Sequence, residues 1–202
     1  ALARPEDPSA RLDLAEGLLR GGELEGALRE LEGALEQAPE DLRLNITLVM
    51  NLLQQGEFDA ALRAIGNLSE HRPDDPLVHN LRALAFWGKQ DIEQVVHSLA
   101  EAQRIQPGEP TSAISLARLA ILEGDLDQAS EIYRRALEHF PGNPRLSTRL
   151  ATLEADRGNA DVVRDVLEQS LERFPEVVQT RVMLARYYIQ QGEPRRALSL
   201  LE

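Results

Sequence analysis

Apolar residues recur along this chain at helical spacing, in short runs that each end at a glycine or a proline. Between Leu116 and Pro144 the chain reads LARLAILEGDLDQASEIYRRALEHFPGNP. Small and apolar side chains return every three to four positions on both sides of Gly124-Asp125, the pattern of two amphipathic helices that meet at a turn. The same run recurs through the chain. Its closing prolines are Pro39, Pro73, Pro107, Pro141 and Pro175, each 34 residues after the last with no insertion. A fixed period of 34 with two helical runs per unit predicts a stack of helix-turn-helix repeats.

With the closing proline at position 32, the units are 8–41, 42–75, 76–109, 110–143 and 144–177, with a truncated sixth at 178–202 and a lead-in at 1–7. First helices are predicted at 8–21, 42–55, 76–89, 110–123, 144–157 and 178–191. Second helices are predicted at 24–37, 58–71, 92–105, 126–139 and 160–173, then from 194 onward. Position 8 is small (Ala15, Val49, Ala83, Ala117, Ala151, Ala185), as is position 20 (Ala27, Ala61, Val95, Ala129, Val163, Ala197), so paired helices can approach closely. Position 24 is large and fills the space between units. Position 15 is Gly22, Gly56, Gly124, Gly158 or Gly192, and Gln90 in the third unit. A helix-ending residue often takes the left-handed conformation that glycine reaches without a Cβ clash. Pro76, Pro110 and Pro144 open first helices behind Asp75, Glu109 and Asn143, an N-cap followed by a first-turn proline. The fifth unit departs most. Glu154 stands at position 11, usually large and apolar, and Val163 and Ser170 occupy small-residue positions. That unit is expected to pack loosely, and Glu154→Leu to stabilise it if the carboxylate is buried without a partner. In the third unit, Arg82 takes a position usually held by Leu.

These repeats, over residues 8–202, resemble the tetratricopeptide (TPR) family. The resemblance implies an all-α fold: a right-handed TPR superhelix, or α-solenoid, of antiparallel helix pairs, with first helices lining a concave groove through positions 2, 5, 6, 9, 12 and 13. At those positions Arg20, Arg43, Arg118, Arg145, Arg149 and Arg186 stand against Asp13, Glu16 and Asp156, so the inner face is expected to be positive in a chain of net charge -12. Met50, Leu53, Leu84, Trp87 and Ile121 add an apolar floor. The expected partner-binding residues are therefore Met50, Leu84, Trp87, Arg118, Ile121, Arg145, Arg149 and Arg186, facing a protein or peptide with apolar and acidic side chains. Two alternatives stay open: Trp87 packs between first helices rather than opening on the groove, and the arginines pair internally with Asp156 or Glu154. Arg145 and Arg149 also match the basic pair with which chaperone-binding members hold a C-terminal carboxylate. Asn80, Leu84 and Ser115 depart from the rest of that clamp, so a chaperone-tail receptor is not expected.

A narrower resemblance rests on PLVHNLRALAFWGKQD, SLARLAILEGDLDQA and LARYYIQQGEPRRALSLLE. These are similar to the TPR lipoproteins of bacterial PEP-CTERM/exosortase systems, encoded with exopolysaccharide machinery, and to scaffolds of exopolysaccharide export. That similarity implies a periplasmic or envelope-associated scaffold; a cytoplasmic location is the alternative. The chain starts at Ala1 rather than Met and ends within a helical pattern, so we read it as a piece of a longer protein. A regulatory TPR domain of a larger enzyme and a self-association module are the alternative functions.

The remaining features narrow the chemistry. Cys is absent, which excludes disulfides, thiolate metal sites and Cys nucleophiles. The acidic balance argues against nucleic acid as a partner, and no apolar run approaches membrane-spanning length. His71 and His139 both fall in the last turn of a second helix, where a cation suits the helix C-terminus. His79 and His97 lie on different helices without metal-ligand spacing. Neither a nucleophile elbow nor a phosphate loop is present. No catalytic residue, metal or cofactor is expected.

Overall fold

The computed structural model describes residues 7–201, and among them the chain forms twelve α-helices and no strand. They are α1 (Pro8–Gly21), α2 (Leu24–Leu35), α3 (Leu42–Gln54), α4 (Phe58–His71), α5 (Pro76–Gly88) and α6 (Ile92–Ile105), followed by α7 (Pro110–Glu123), α8 (Leu126–His139), α9 (Pro144–Asp156), α10 (Ala160–Arg173), α11 (Val178–Gln190) and α12 (Pro194–Leu201). Every predicted start is an observed start. The largest difference at an end is at α2, which stops at Leu35 rather than 37. Of the expected lead-in, residues 1–6 lie outside the described residues, and Asp7 serves as the N-cap of α1.

Local chemistry accounts for these boundaries. Asp41 and Asp75 each accept a hydrogen bond from a backbone N–H of the helix that follows, and Glu109 and Asn143 accept two each, so helix-start donors left without an intrahelical partner are satisfied. At the turn inside each pair the chain repeats one hydrogen-bond motif. The Gly124 N–H donates to the Ile121 carbonyl and the Asp125 N–H to the Ala120 carbonyl, the crossed pattern of a left-handed helix stop. In the third unit the Gln90 N–H donates to the Trp87 carbonyl and the Asp91 N–H to the Phe86 carbonyl, and Gln90 adopts φ +61°. It is the only non-glycine residue with positive φ among the described residues.

The chain divides into two compact units, residues 1–105 and 106–202. In the first, three helix pairs follow one another (α1/α2, α3/α4, α5/α6); α1 to α5 share a core built on Ala15, Ala27, Leu31, Val49, Ala61, Ile65 and their neighbours, and α6 packs against α5. In the second, α7/α8, α9/α10 and α11/α12 enclose two adjoining clusters, one around Ala117, Tyr133 and Leu150, the other around Ala151, Leu167 and Tyr188. The small positions 8 and 20 are buried throughout, as close approach of paired helices requires.

The condition on which Glu154→Leu is expected to stabilise, a buried carboxylate without a partner, is not met. The Glu154 side chain is 1% exposed but fully partnered. Ser130 Oγ on α8 and the Asn159 side-chain amide both donate to it, while Arg134 lies 3.4 Å and Arg157 3.6 Å away. Burial pushes this carboxyl's pKa up, but the two hydrogen bonds and the two guanidinium charges outweigh it and hold the pKa below the usual carboxylate value. Arg157 is shared with Asp127 and the Leu126 carbonyl. The position thus joins α8, α9 and the following turn through a polar network rather than leaving a void.

Candidate functional site

The face presented by first helices is where sequence reasoning placed the function. In the unit spanning 1–105, α3 packs against α5. Met50 on α3 is half-buried and packs on the core. On α5, Leu84 is 46% exposed and Trp87 36% exposed, one turn apart. Trp87 therefore presents part of its ring to solvent. Arg43 donates to Glu16 at 2.6 Å; the net positive charge expected of the inner face already sets these two against each other, so the pair leaves it unchanged.

In the unit spanning 106–202, α9 touches both α7 and α11. Arg118 and Ile121 are exposed on α7, Arg145 and Arg149 on α9, and Arg186 on α11. Among the described residues Arg145, Arg149 and Arg186 make no ion pair. The internal pairing considered for α9 does not occur, because Glu154 is taken by Ser130, Asn159, Arg134 and Arg157. Burial raises the pKa of the Tyr133 phenol above its ordinary value, and the Arg149 charge works against that rise. The face is therefore cationic, with an apolar side chain (Ile121, 38% exposed) beside it.

A second feature was missed from the sequence. A cavity of about 380 Å³ opens between α9, α10 and α11. Ala155, Ala160, Val163 and Met183 line it, with Arg186 and Gln190 at its rim. The signal was present: Ala155 stands at position 12, where the other units carry Leu19, Leu53, Trp87, Ile121 and Ile189.

The titratable groups whose pKa departs from the ordinary value do so through neighbouring partners or burial. The hydrogen bond and charge of Lys89 lower the Asp59 pKa, and those of Arg104 lower the Glu101 pKa. Burial and the Arg82 charge hold the His79 pKa below its ordinary value. Among the described residues no group of three or more His, Asp or Glu could hold a metal ion, and no helix is long and apolar enough to cross a membrane.

Three family models match the chain, each described as tetratricopeptide repeat, over residues 18–85, 110–153 and 178–202. Together they cover more than half of it. No curated protein matches the sequence. Among solved structures, the chain is similar to a thermophilic TPR protein of Thermus thermophilus, with 23% identity and a TM-score of 0.60 over 90% of this chain and 99% of that one. It is similar to PilF of Pseudomonas aeruginosa, with 17% identity and a TM-score of 0.63 over 96% of this chain and 88% of that one. It is also similar to PilW, a type IV pilus biogenesis factor, with 15% identity and a TM-score of 0.59 over 96% of this chain and 90% of that one. At these identities the likeness is one of fold.

Proposed function

The chain belongs to the tetratricopeptide-repeat family, and from that premise we propose that it is a non-catalytic interaction scaffold whose first-helix face binds a protein segment carrying apolar and acidic side chains. One observation carries this reading. Leu84, Trp87 and Ile121 keep large apolar surfaces in water, while Arg145, Arg149 and Arg186 stand exposed without an ion pair among the described residues. Both features cost a free monomer little and become useful on association, where a buried aromatic anchor supplies affinity and charge steers encounter. The small repeat positions 8 and 20 are buried in every unit, and the large position 24 is buried in the first five, so the exposed apolar residues are not a sign of poor packing. The partner assembly we favour belongs to the bacterial envelope, in exopolysaccharide biosynthesis or export. The fold-level likeness to a pilus biogenesis factor supports an envelope setting, and the sequence resemblance described above supports the exopolysaccharide role.

The test uses peptides selected from a display library against the chain, with kinetics measured by surface plasmon resonance. Charge reversal at Arg145 and Arg149 slows association and flattens its salt dependence. Trp87→Ala speeds dissociation and costs about 2 kcal/mol or more. Selected peptides that bind both variants like the parent chain would refute the first-helix face as the recognition surface.

A further inference from the structure

We propose that the cavity between α9, α10 and α11 is an anchor pocket that takes one bulky apolar side chain, Leu, Met or Phe in size, from an acidic partner segment. The proposal rests on the interaction reading above and identifies where that segment docks.

The cavity has a specific origin in the repeat. Two positions that are large and apolar in the first four units are both alanine in the fifth. Position 12 is Leu19, Leu53, Trp87 and Ile121, then Ala155, with Ile189 in the sixth unit. Position 17 is Leu24, Phe58, Ile92 and Leu126, then Ala160, with Pro194 in the sixth unit. The role of a large residue at position 17 is visible in the other unit. The Phe58 ring presses so closely on Gly88 that a Cβ there would collide with it, so position 17 fills the corner beside the next first helix. In the fifth unit that corner is vacated by Ala160 and is lined instead by Gln190, which occupies the position equivalent to Gly88. At both positions the large residues of most other units stand at the surface, among them Trp87, Ile121 and Ile189 at position 12 and Leu24, Ile92 and Leu126 at position 17. The two alanines therefore clear a surface corner over a buried apolar floor, and an occupant from a partner can cover it.

The lining selects that occupant. Ala151, Ala155, Val163 and Leu167 form an apolar floor, and Met183 adds an unbranched thioether that adapts to varied shapes. At about 380 Å³ the cavity lies near the small end of ligand pockets, which suits a single side chain. Arg186 and Asp156, both exposed, also line the cavity, and the two make no ion pair. Arg145 and Arg149 continue the cationic surface of α9, so arginines outnumber the one acid and carboxylates flanking the anchor are favoured.

The protein has two methionines, Met50 and Met183. Methyl-¹³C-methionine NMR therefore gives one reporter inside the cavity and one in the other unit. The probes are blocked eight-residue peptides of Asp and Glu with one central Leu, Phe or Ala. The Leu and Phe peptides are expected to shift the Met183 methyl resonance saturably, and the Ala peptide to bind at least tenfold more weakly. Ala155→Leu, which restores the residue size found in the other units, is expected to weaken Leu-peptide binding at least tenfold while leaving Tm unchanged or higher. Ala160→Leu is the second variant and is expected to do the same, so the test survives if either variant folds poorly. A Met183 resonance that does not respond, or a folded Ala155→Leu protein that binds like the parent, overturns the pocket. If that variant binds like the parent while Arg145→Glu/Arg149→Glu loses the peptide, the pocket is refuted and the interaction face stands. If no peptide moves either methionine and none binds, both readings fall.

Discussion

Replacing Glu154 by leucine is a sharp test of how the repeat stack is held together, because repeat pattern and structure give opposite signs. Judged by pattern, an acid at an apolar position invites a stabilising Leu. The structure shows a carboxylate that accepts from Ser130 Oγ and from the Asn159 amide, with Arg134 and Arg157 within 4 Å. Hydrogen bonds to a charged acceptor contribute about 1.5–3 kcal/mol each. Leucine returns roughly 1.5–3 kcal/mol through burial and removes the cost of desolvating the carboxylate. It also leaves the buried Ser130 hydroxyl without its acceptor, at about 1–3 kcal/mol, while the exposed Asn159 amide turns to water. Arg134 is half-exposed and Arg157 keeps Asp127, so neither guanidinium is stranded. The balance is a destabilisation of about 2 kcal/mol, readable as a lower urea midpoint at unchanged slope. Ser130→Ala placed on Glu154→Leu should recover about 1 kcal/mol, because removing both partners is far cheaper than removing one. Since the native pKa of Glu154 lies below its unfolded value, its contribution is present above the unfolded pKa and is lost as pH falls through the folded one. The gap between wild type and Glu154→Leu should therefore be constant near neutrality and close in acid. A leucine variant as stable as wild type at pH 7, or more stable, would refute the reasoning and show that the network's desolvation cost exceeds its bonds.

The other predictions concern backbone and charge. Gln90→Gly should stabilise by about 0.5–1 kcal/mol, the left-handed penalty less the extra chain entropy of glycine, measured by urea unfolding. Gly142→Ala should destabilise by about 1–2 kcal/mol or more in the same assay, because φ is +71° and a Cβ would strike Arg173 and crowd the Gln169 carbonyl. His79 has a folded pKa below its unfolded value, so folding favours its neutral form. Stability is expected to fall as pH drops through the unfolded His pKa, with a shallower fall in His79→Gln.

The fold was readable because its signals are local and repeated. The 34-residue period, the N-cap before a first-turn proline and the glycine turn each name a boundary, and the helices start where those residues say. Gln90 was legible as a departure, and the structure supplies its consequence in a strained φ of +61°. The site was less legible, because its chemistry is decided between repeats. Nothing at position 2 says that Arg43 reaches back to Glu16 one unit earlier. Glu154 looked like a flaw because its partners come from α8 and from the turn that follows α9. A polar Ser130 at position 21, where four other units have Leu28, Leu62, Val96 and Leu198, was the available hint. The cavity followed the same logic: Ala155 and Ala160 look innocuous singly, and only their spatial neighbourhood turns them into an opening.

Hydroxyl-radical footprinting of the chain, free and bound to a segment selected from the display library, tests the central claim most directly. Side chains on the two kinds of helix oxidise independently, and a bound segment shields those it covers. The account predicts that binding protects first-helix side chains, Trp87 on α5 in one unit or Met183 on α11 in the other, while Leu126 and Leu137 on the second helix α8 oxidise as in the free chain. Protection confined to second-helix side chains, with Trp87 and Met183 unchanged, would contradict it.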